Sequence, residues 1–201
     1  MISSAPSETS KAELRRAALA RRDAIPAATR AEAAERVAAR PFPMPVPAGC
    51  CVSGFFPLRT EINPLPLLRR IAEAGAKLAF PIVVGRGRPL LFRTWSFGAP
   101  LGSGVWGIRE PLPDAPEVDP DILIVPLAAF DRIGHRIGYG AGYYDMTLNR
   151  LRAAKPVTAI GLAFSAQEIA QVPATPRDAK LDLVLTEREV IDFRVTCPGQ
   201  S

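Results

Sequence analysis

The chain has 201 residues, 48% of them hydrophobic, with 25 lysines and arginines against 20 aspartates and glutamates and a formal net charge of +5. This length and composition fit one soluble domain with a full hydrophobic core and exclude a largely disordered chain. Because the basic residues are dispersed and aromatic residues make up only 7%, the composition argues against a nucleic-acid-binding module and leaves room for a small anionic ligand.

A helical arm is predicted at the start of the chain. Two capping boxes, in which a Ser or Thr and a Glu three residues later satisfy free N–H groups, mark two helix starts: Ser10 with Glu13, and Thr29 with Glu32. Proline ends a helix, so the first helix stops before Pro26 and the second at Pro41. Residues 1–9, ahead of the arm, are expected to be disordered or loosely attached.

The first of these helices carries a basic outer face, made of Lys11, Arg15, Arg16, Arg21 and Arg22. Lys11 and Arg15 are four residues apart and therefore lie on the same side of the helix. On the residues alone, the simplest interpretation of this face is a solvated surface.

Apolar runs and turn residues predict alternating strands and helices in the rest of the chain. The strands are expected at Cys51–Phe56, Lys77–Val84, Leu90–Trp95 as an edge hairpin, Ile122–Val125, Val157–Ala163 and Leu183–Thr186. Asn63 followed by Pro64 marks a helix start, and Gly75 marks its end. With no internal repeat, this order predicts a single α/β domain over residues 1–201 with an N-terminal helical arm.

The most informative stretch runs from Asp121 to Arg152. A continuous apolar strand passes into a loop rich in glycine and then into a helix that begins near Tyr143. Such a loop directs backbone N–H groups and the positive end of the helix dipole toward an anion, and phosphate is the natural candidate. Arg136 adds a guanidinium, and Asp145 in the first helical turn could hold a phosphate-bound Mg²⁺. The alternative is a purely structural turn, with Asp145 only complementing the helix dipole.

Other motifs are weaker. Residues 102–107 satisfy G-x-G-x-x-G, but they neither follow a strand nor open a helix, so a dinucleotide site is not predicted. His135 is the one histidine and no G-x-S-x-G accompanies it, which argues against a Ser-His-Asp hydrolase. The three cysteines, Cys50, Cys51 and Cys197, form no C-x-x-C pair, which argues against a disulfide scaffold or zinc site.

No targeting segment is recognised. The first ten residues lack the pattern of a secretory signal, and no apolar run approaches the roughly 18 to 20 residues that span a bilayer. We therefore expect a cytoplasmic protein without a membrane partner. We also expect a monomer without a nucleic-acid partner.

Two loop residues could contact a planar, polar ligand. Glu61 lies in a loop after the first predicted strand, at the edge of an open α/β sheet where ligands bind, and offers a carboxylate to N–H donors. Trp106 stands in another loop and offers a flat face. Seen alone, Glu61 is more simply explained as a surface Glu, and Trp106 as a partly buried Trp.

Several stretches together resemble one enzyme family. The run from Phe130 to Asp145, FDRIGHRIGYGAGYYD, is similar to the signature of 5-formyltetrahydrofolate cyclo-ligase, also called methenyltetrahydrofolate synthetase. Other pieces agree in order and spacing: Lys11–Arg15, FFPLRTEI at 55–62, WGIREP at 106–111 and RDAKLDLVLTE at 177–187. The likeness covers nearly the whole chain, and its specific part is the glycine-tyrosine-aspartate segment.

The resemblance implies an α/β domain with a central, mostly parallel but mixed sheet flanked by helices. It implies a ligase that uses Mg²⁺ and ATP to cyclise 5-formyltetrahydrofolate to 5,10-methenyltetrahydrofolate, with release of ADP and phosphate, through phosphorylation of the formyl oxygen. The residues it assigns to ATP are Lys11, Arg15, Arg136, Gly138, Tyr139, Gly140, Ala141, Gly142, Tyr143 and Tyr144. Those it assigns to the folate are Phe56, Glu61, Trp106, Tyr139 and Tyr143, with Asp145 and Asp178 for Mg²⁺ and Arg136 and Tyr143 in catalysis.

The chain departs from the family pattern at two positions. Ala141 stands where relatives often carry Gly or Lys, so one cation is missing from the loop. Arg177 precedes Asp178 where many relatives have His. The alternative function is a non-catalytic nucleotide-binding or regulatory protein that keeps the fold, and an RNA-binding module is a third hypothesis.

Overall fold

A computed structural model of the chain describes residues 8–194, with the side chains of residues 8–10 and of Trp106 outside the described part. Within that range the helices are α1 (Glu8–Asp23), α2 (Ala27–Ala39), α3 (Leu65–Glu73) and α4 (Tyr143–Ala154), with 3₁₀ turns at Val105–Gly107 and Ser165–Gln167. None of these helices is long and apolar enough to cross a membrane.

The strands are β1 (Cys51–Ser53), β2 (Lys77–Ile82), β3 (Leu91–Thr94), β4 (Leu101–Ser103), β5 (Arg109–Pro111), β6 (Ile122–Pro126), β7 (Ala129–Phe130), β8 (Arg136–Ile137), β9 (Thr158–Leu162), β10 (Leu183–Leu185) and β11 (Val190–Asp192). Seven of them form one sheet in the order β11-β10-β9-β6-β1-β2-β3. The five inner strands are parallel, and the edge strands β3 and β11 are antiparallel to their neighbours. The predicted mixed, mostly parallel α/β sheet is therefore confirmed.

Helices cover the sheet on both faces. Along β6, Ile122 and Ile124 belong to the core that α2 and α3 close, whereas Leu123 and Val125 belong to the core that α4 closes. Successive side chains of a strand point to opposite faces, so a strand that is buried on both faces has to be apolar at every position. This explains why β6 shows no polar alternation.

Local signals placed several elements correctly. Leu65 donates its backbone N–H to Asn63 Oδ1 at 3.0 Å, and α3 begins after Pro64 as predicted. Gly75 follows α3 with a φ of +98°, which only glycine adopts without strain. The β2–β3 pair is the predicted edge hairpin.

Other boundaries were predicted wrongly. Helix α1 already begins at Glu8, ahead of the Ser10 capping box, and α2 begins at Ala27, so Thr29 lies inside its first turn. Pro26 precedes α2 directly, because a missing N–H costs nothing at a helix start. Strand β1 ends at Ser53 rather than Phe56.

The sequence also concealed two small hairpins, β4–β5 and β7–β8, whose strands are only two or three residues long. The expectation for residues 1–9 stays a prediction, since residues 1–7 lie outside the described part and Glu8 and Thr9 belong to α1. Cys197 also lies outside it, and Cys50 and Cys51 are free thiols.

Candidate functional site

Helix α1 lies against the segment that connects β6 to α4. Ala18 is completely buried there, in a small apolar cluster with Ala129, Ile137 and Val172. Ala129 and Ile137 belong to the β7–β8 hairpin, which follows the carboxyl end of β6. The helix thus covers the loop that the sequence singled out as a phosphate site.

The basic residues of α1 contact this loop directly. Arg15 Nε donates to the carbonyl oxygen of Gly138 at 2.7 Å, and the Arg15 guanidinium lies 3.8 Å from the point where a Cβ on Gly140 would be. Lys11 Nζ donates to Asp178 Oδ2 at 2.7 Å. Under the simplest interpretation these residues would face solvent, but the structure brings Lys11 and Arg15 to the glycine loop and to Asp178.

The glycine loop ends at the first turn of α4. Gly140 and Gly142 have φ angles of +103° and +68°, and Gly142 is the residue that caps the helix. These left-handed conformations bend the chain so that the free N–H groups of the helix start lie beside the loop. Ala141, between the two glycines, is exposed and offers no cation.

Arg136 is a buried member of this site. Its side chain is 3% exposed, and its Nη2 donates to Asp145 Oδ1 at 2.8 Å. The backbone N–H of Ala179 also donates to Asp145 Oδ1, at 3.0 Å, and Arg136 donates in return to the Ala179 carbonyl. Burial lowers the pKa of Arg136, and the Asp145 carboxylate opposes that shift. The hydrogen bonds among Arg136, Asp145 and Ala179 join the glycine loop to the segment around Ala179.

Asp178 lies in the same segment. Burial alone would raise its pKa, but hydrogen bonds from Lys11 and from the N–H and hydroxyl of Thr175 outweigh burial, and the pKa lies below its ordinary value of 3.8. Asp178 is therefore an anion at neutral pH. Only the ionised carboxylate can pair with a cation or bind a metal ion.

The two aspartates fit a magnesium ion that is bound together with phosphate. The hydrogen bonds from Arg136 and Ala179 to Asp145 reach Oδ1, and those from Lys11 and Thr175 to Asp178 reach Oδ2. Mg²⁺ keeps several waters and takes one or two carboxylates plus substrate phosphates. Residues 8–194 contain no group of three or more His, Cys, Asp or Glu side chains that could hold a metal ion by themselves.

A second cluster forms around Glu61, in the loop that follows β1. Glu61 Oε2 accepts the backbone N–H of Leu58 at 2.8 Å, and the Tyr139 hydroxyl, which donates to the Leu127 carbonyl oxygen at 3.4 Å, lies near the Glu61 carboxylate. The same hydroxyl accepts a hydrogen bond from Arg22 Nη1 at 2.7 Å. Burial raises the pKa of Glu61, while these hydrogen bonds and the charge of Arg22 oppose that shift. Tyr139 therefore joins the glycine loop to the region around Glu61.

Tyr143 and Tyr144 both pack partly buried against the core under α4. Burial raises the pKa of the Tyr144 hydroxyl, the Glu61 charge raises it further, and the Arg136 charge opposes both. The backbone carbonyl of Tyr143 accepts a hydrogen bond from Thr147 at 2.7 Å.

Two more residues were predicted to contact the folate, Phe56 and Trp106. The Phe56 ring stacks on Phe80, with centroids 4.3 Å apart, and meets Trp95 edge to face at 5.6 Å. Trp106 belongs to the 3₁₀ turn between β4 and β5, and its side chain is outside the described part. The G-x-G-x-x-G segment thus forms a hairpin turn that leads into no helix.

Arg22 is the site residue that sequence reasoning missed. It was placed on the exposed basic face of α1, and this was wrong, since Arg22 is only 4% exposed. A signal was present: Lys11, Arg15, Ala18 and Arg22 follow one another at intervals of four, three and four residues. That spacing puts all four on one helix face.

Comparison with known proteins agrees with this geometry. Residues 7–187 match the family model of the 5-formyltetrahydrofolate cyclo-ligase family. A 5-formyltetrahydrofolate cyclo-ligase of Mycolicibacterium smegmatis is 32% identical over 193 residues, covering 92% of this chain and 97% of the relative. One from Escherichia coli K12 is 31% identical over 155 residues, covering 74% of this chain and 84% of the relative.

Solved structures show the same fold. The NMR structure of Aquifex aeolicus 5,10-methenyltetrahydrofolate synthetase aligns with a TM-score of 0.75 at 27% identity, covering 95% of this chain and 96% of that one. A 5,10-methenyltetrahydrofolate synthetase from Mycoplasma pneumoniae aligns with a TM-score of 0.69 at 21% identity, covering 88% of this chain and 98% of that one, and supports the fold alone. The ligase class predicted from the sequence is confirmed, and the chain belongs to the 5-formyltetrahydrofolate cyclo-ligase family.

Proposed function

We propose that this protein catalyses the Mg²⁺- and ATP-dependent cyclisation of 5-formyltetrahydrofolate to 5,10-methenyltetrahydrofolate, releasing ADP and phosphate. Family membership supports the reaction. The observation that carries the proposal is the packing of α1 against the glycine loop, where Arg15 donates to the Gly138 carbonyl and Lys11 donates to Asp178. Cations from α1 therefore lie beside the loop's backbone N–H groups and the two carboxylates.

The reaction needs ATP because a formyl amide is a weak electrophile and its oxygen is a poor leaving group. Transfer of the γ-phosphoryl group to the formyl oxygen releases ADP and leaves an imidate-like phosphate. The second folate nitrogen then adds to the formyl carbon and loses its proton, and phosphate departs with the former formyl oxygen. The protein's part is to position the reactants and stabilise charge, as in phosphoryl transfer generally.

The cations of the site would bind the phosphates of ATP. Lys11 and Arg15 from α1 and Arg136 from β8 surround the loop, whose backbone N–H groups supply further donors. Asp145 and Asp178 would hold Mg²⁺, which neutralises phosphate charge when bound. The remaining ATP contacts are proposed for Gly138, Tyr139, Gly140, Ala141, Gly142, Tyr143 and Tyr144.

The folate would occupy the neighbouring pocket. Glu61 is proposed to accept hydrogen bonds from the polar edge of the pterin, while Phe56, Trp106, Tyr139 and Tyr143 contact its rings. Tyr139 belongs to both sets, because its backbone lies in the phosphate loop and its hydroxyl reaches Glu61. Arg136 and Tyr143 are the residues proposed to act in catalysis. Such an arrangement would place the formyl oxygen beside the γ-phosphate.

A direct assay tests the reaction. Protein, Mg-ATP and 5-formyltetrahydrofolate are mixed, and the near-ultraviolet absorbance of the methenyl product is followed. We expect a signal that requires ATP and is lost when Mg²⁺ is chelated. Binding of ATP without any product would instead support a non-catalytic nucleotide-binding protein with the same fold. A protein that shows no ATP binding and no turnover would contradict both functions.

A further inference from the structure

We propose that Arg22 is a positioning residue for folate binding, which holds the Tyr139 hydroxyl and the Thr60–Glu61 loop in the geometry that receives the substrate. The proposal rests on the proposed function, because it assigns Glu61 and Tyr139 to the folate pocket. Arg22 has no place in the family-based assignment of site residues given above.

The contacts of Arg22 reach both loops that carry Glu61 and Tyr139. Its Nε donates to Thr60 Oγ1 at 2.9 Å, in the loop that carries Glu61, and its Nη1 donates to the Tyr139 hydroxyl at 2.7 Å, in the glycine loop. These partners lie 38 and 117 residues away in sequence. One planar guanidinium therefore connects α1 both to the loop that carries Glu61 and to the glycine loop.

Arg22 is also the charge that compensates Glu61. The Arg22 side chain is 4% exposed, and it pairs at 3.4 Å with Asp23, whose 56% exposed carboxylate also accepts a hydrogen bond from the Thr60 hydroxyl. A buried guanidinium is stable only when it is paired and hydrogen-bonded. Glu61 is the second carboxylate whose charge interacts with that of Arg22.

The groups that face Glu61 come from three elements. Arg22 lies on α1, Tyr139 in the glycine loop and Tyr144 on α4, and Arg22 is the cation among the groups that act on Glu61. Removing its charge leaves burial less opposed, so the pKa of Glu61 rises further above its ordinary value. A larger fraction of Glu61 would then be protonated, and a protonated Glu61 accepts fewer hydrogen bonds from the pterin.

The test separates folate binding from ATP binding. Arg22→Gln is compared with wild type by titrating 5-formyltetrahydrofolate and Mg-ATP separately and by measuring kcat/KM for each substrate against pH. We expect folate affinity to fall about tenfold or more, the size of a lost charged hydrogen bond, with Mg-ATP affinity changed less than about twofold. The acid limb of kcat/KM for folate should move to higher pH.

Three further variants make the result decisive. Tyr139→Phe, alone and combined with Arg22→Gln, shows whether Arg22 acts through the Tyr139 hydroxyl, and then the double variant loses less than the sum of the two single losses. Arg22→Lys keeps the charge without the fork and should lose less folate affinity than Arg22→Gln. If Arg22→Gln does not fold, the same measurements are made with Arg22→Lys.

Arg16→Gln is the matched control, since Arg16 is an exposed arginine on the same helix. It should leave both affinities unchanged. An equal loss of both substrates in the Arg22 variants would show a general structural role and overturn the proposal, as would unchanged folate affinity. If wild type binds folate without turning it over, the proposed function fails, but the binding comparison still decides the role of Arg22.

Discussion

At the scale of single residues, Arg136 combines a structural and a catalytic assignment. The family resemblance assigns it to ATP and to catalysis, and the structure shows its guanidinium already hydrogen-bonded to Asp145 and to the Ala179 carbonyl. Removing Arg136 would therefore leave the partly buried Asp145 carboxylate without its cation and the Ala179 carbonyl without its side-chain donor. A loss of activity in such a variant has to be separated from a loss of stability.

We expect Arg136→Ala to lower the free energy of unfolding by about 2–3 kcal/mol, less than a fully buried pair would lose because Asp145 is partly exposed. We also expect ATP-dependent turnover of the folded variant to fall on the order of 10²-fold or more, because a phosphate contact is lost. Denaturant unfolding and the methenyl absorbance assay measure the two effects.

Arg150→Ala serves as the matched control for Arg136. Arg150 lies on α4 and forms an exposed ion pair with Asp119 at 2.8 Å, with both side chains more than two fifths exposed. Such pairs contribute about 0–1 kcal/mol, and Arg150 has no assigned place in the site. Wild-type turnover in folded Arg136→Ala would contradict the assignment of Arg136.

At the scale of elements, the docking of α1 decides whether the site exists. The helix contributes Lys11, Arg15 and Arg22, yet it is attached to the β7–β8 hairpin through few apolar side chains, with Ala18 at the centre. Alanine fits this contact because the helix backbone approaches the hairpin closely. A larger side chain at position 18 would push all three basic residues away together.

Ala18→Leu should therefore destabilise the protein by about 1–3 kcal/mol through overpacking and raise the KM for both ATP and folate. None of the basic residues is altered, so a raised KM would report their displacement. Ala17→Leu, at an exposed position one residue earlier, is the control and should change neither quantity. Unchanged KM values in folded Ala18→Leu would show that the site tolerates movement of α1.

At the scale of the whole molecule, ligand binding should stabilise the fold, because the proposed site is built from residues that are far apart in the sequence. The Lys11–Asp178 contact links residues 167 positions apart, and both side chains are assigned to the ATP and Mg²⁺ site. A ligand that binds only the folded state adds to the free energy of unfolding by mass action. The basic net charge of +5 favours the encounter with an anionic ligand.

At about 100 times its Kd, Mg-ATP should add about 2.7 kcal/mol to stability. For a domain of this size that corresponds to a rise in Tm of roughly 5–10 °C. Thermal unfolding with and without Mg-ATP measures the shift. Combining Lys11→Ala with Arg15→Ala should abolish most of it, and an undiminished shift in that variant would place ATP elsewhere on the protein.

Much of the fold was determined by local sequence. The uninterrupted apolar run of β6, the Asn63–Pro64 start of α3 and the glycine that follows it are readable because each depends on neighbours a few residues away. The 130–145 segment was readable for the same reason, since strand, glycine loop and helix start are consecutive. Short hairpins such as β7–β8 were not, because two-residue strands carry no periodicity.

The composition of the site was decided by tertiary structure. The residues themselves favoured only the glycine loop as a binding site, and the resemblance added the basic helix and Glu61 to one hypothesis. Only the fold shows that Arg136 is paired with Asp145 and that Arg22 is buried on Tyr139. Burial of a charge depends on which distant groups surround it, and Arg22 meets partners 38 and 117 residues away. No local pattern encodes such contacts, because they arise only when the packed helices and loops bring the two loops to α1.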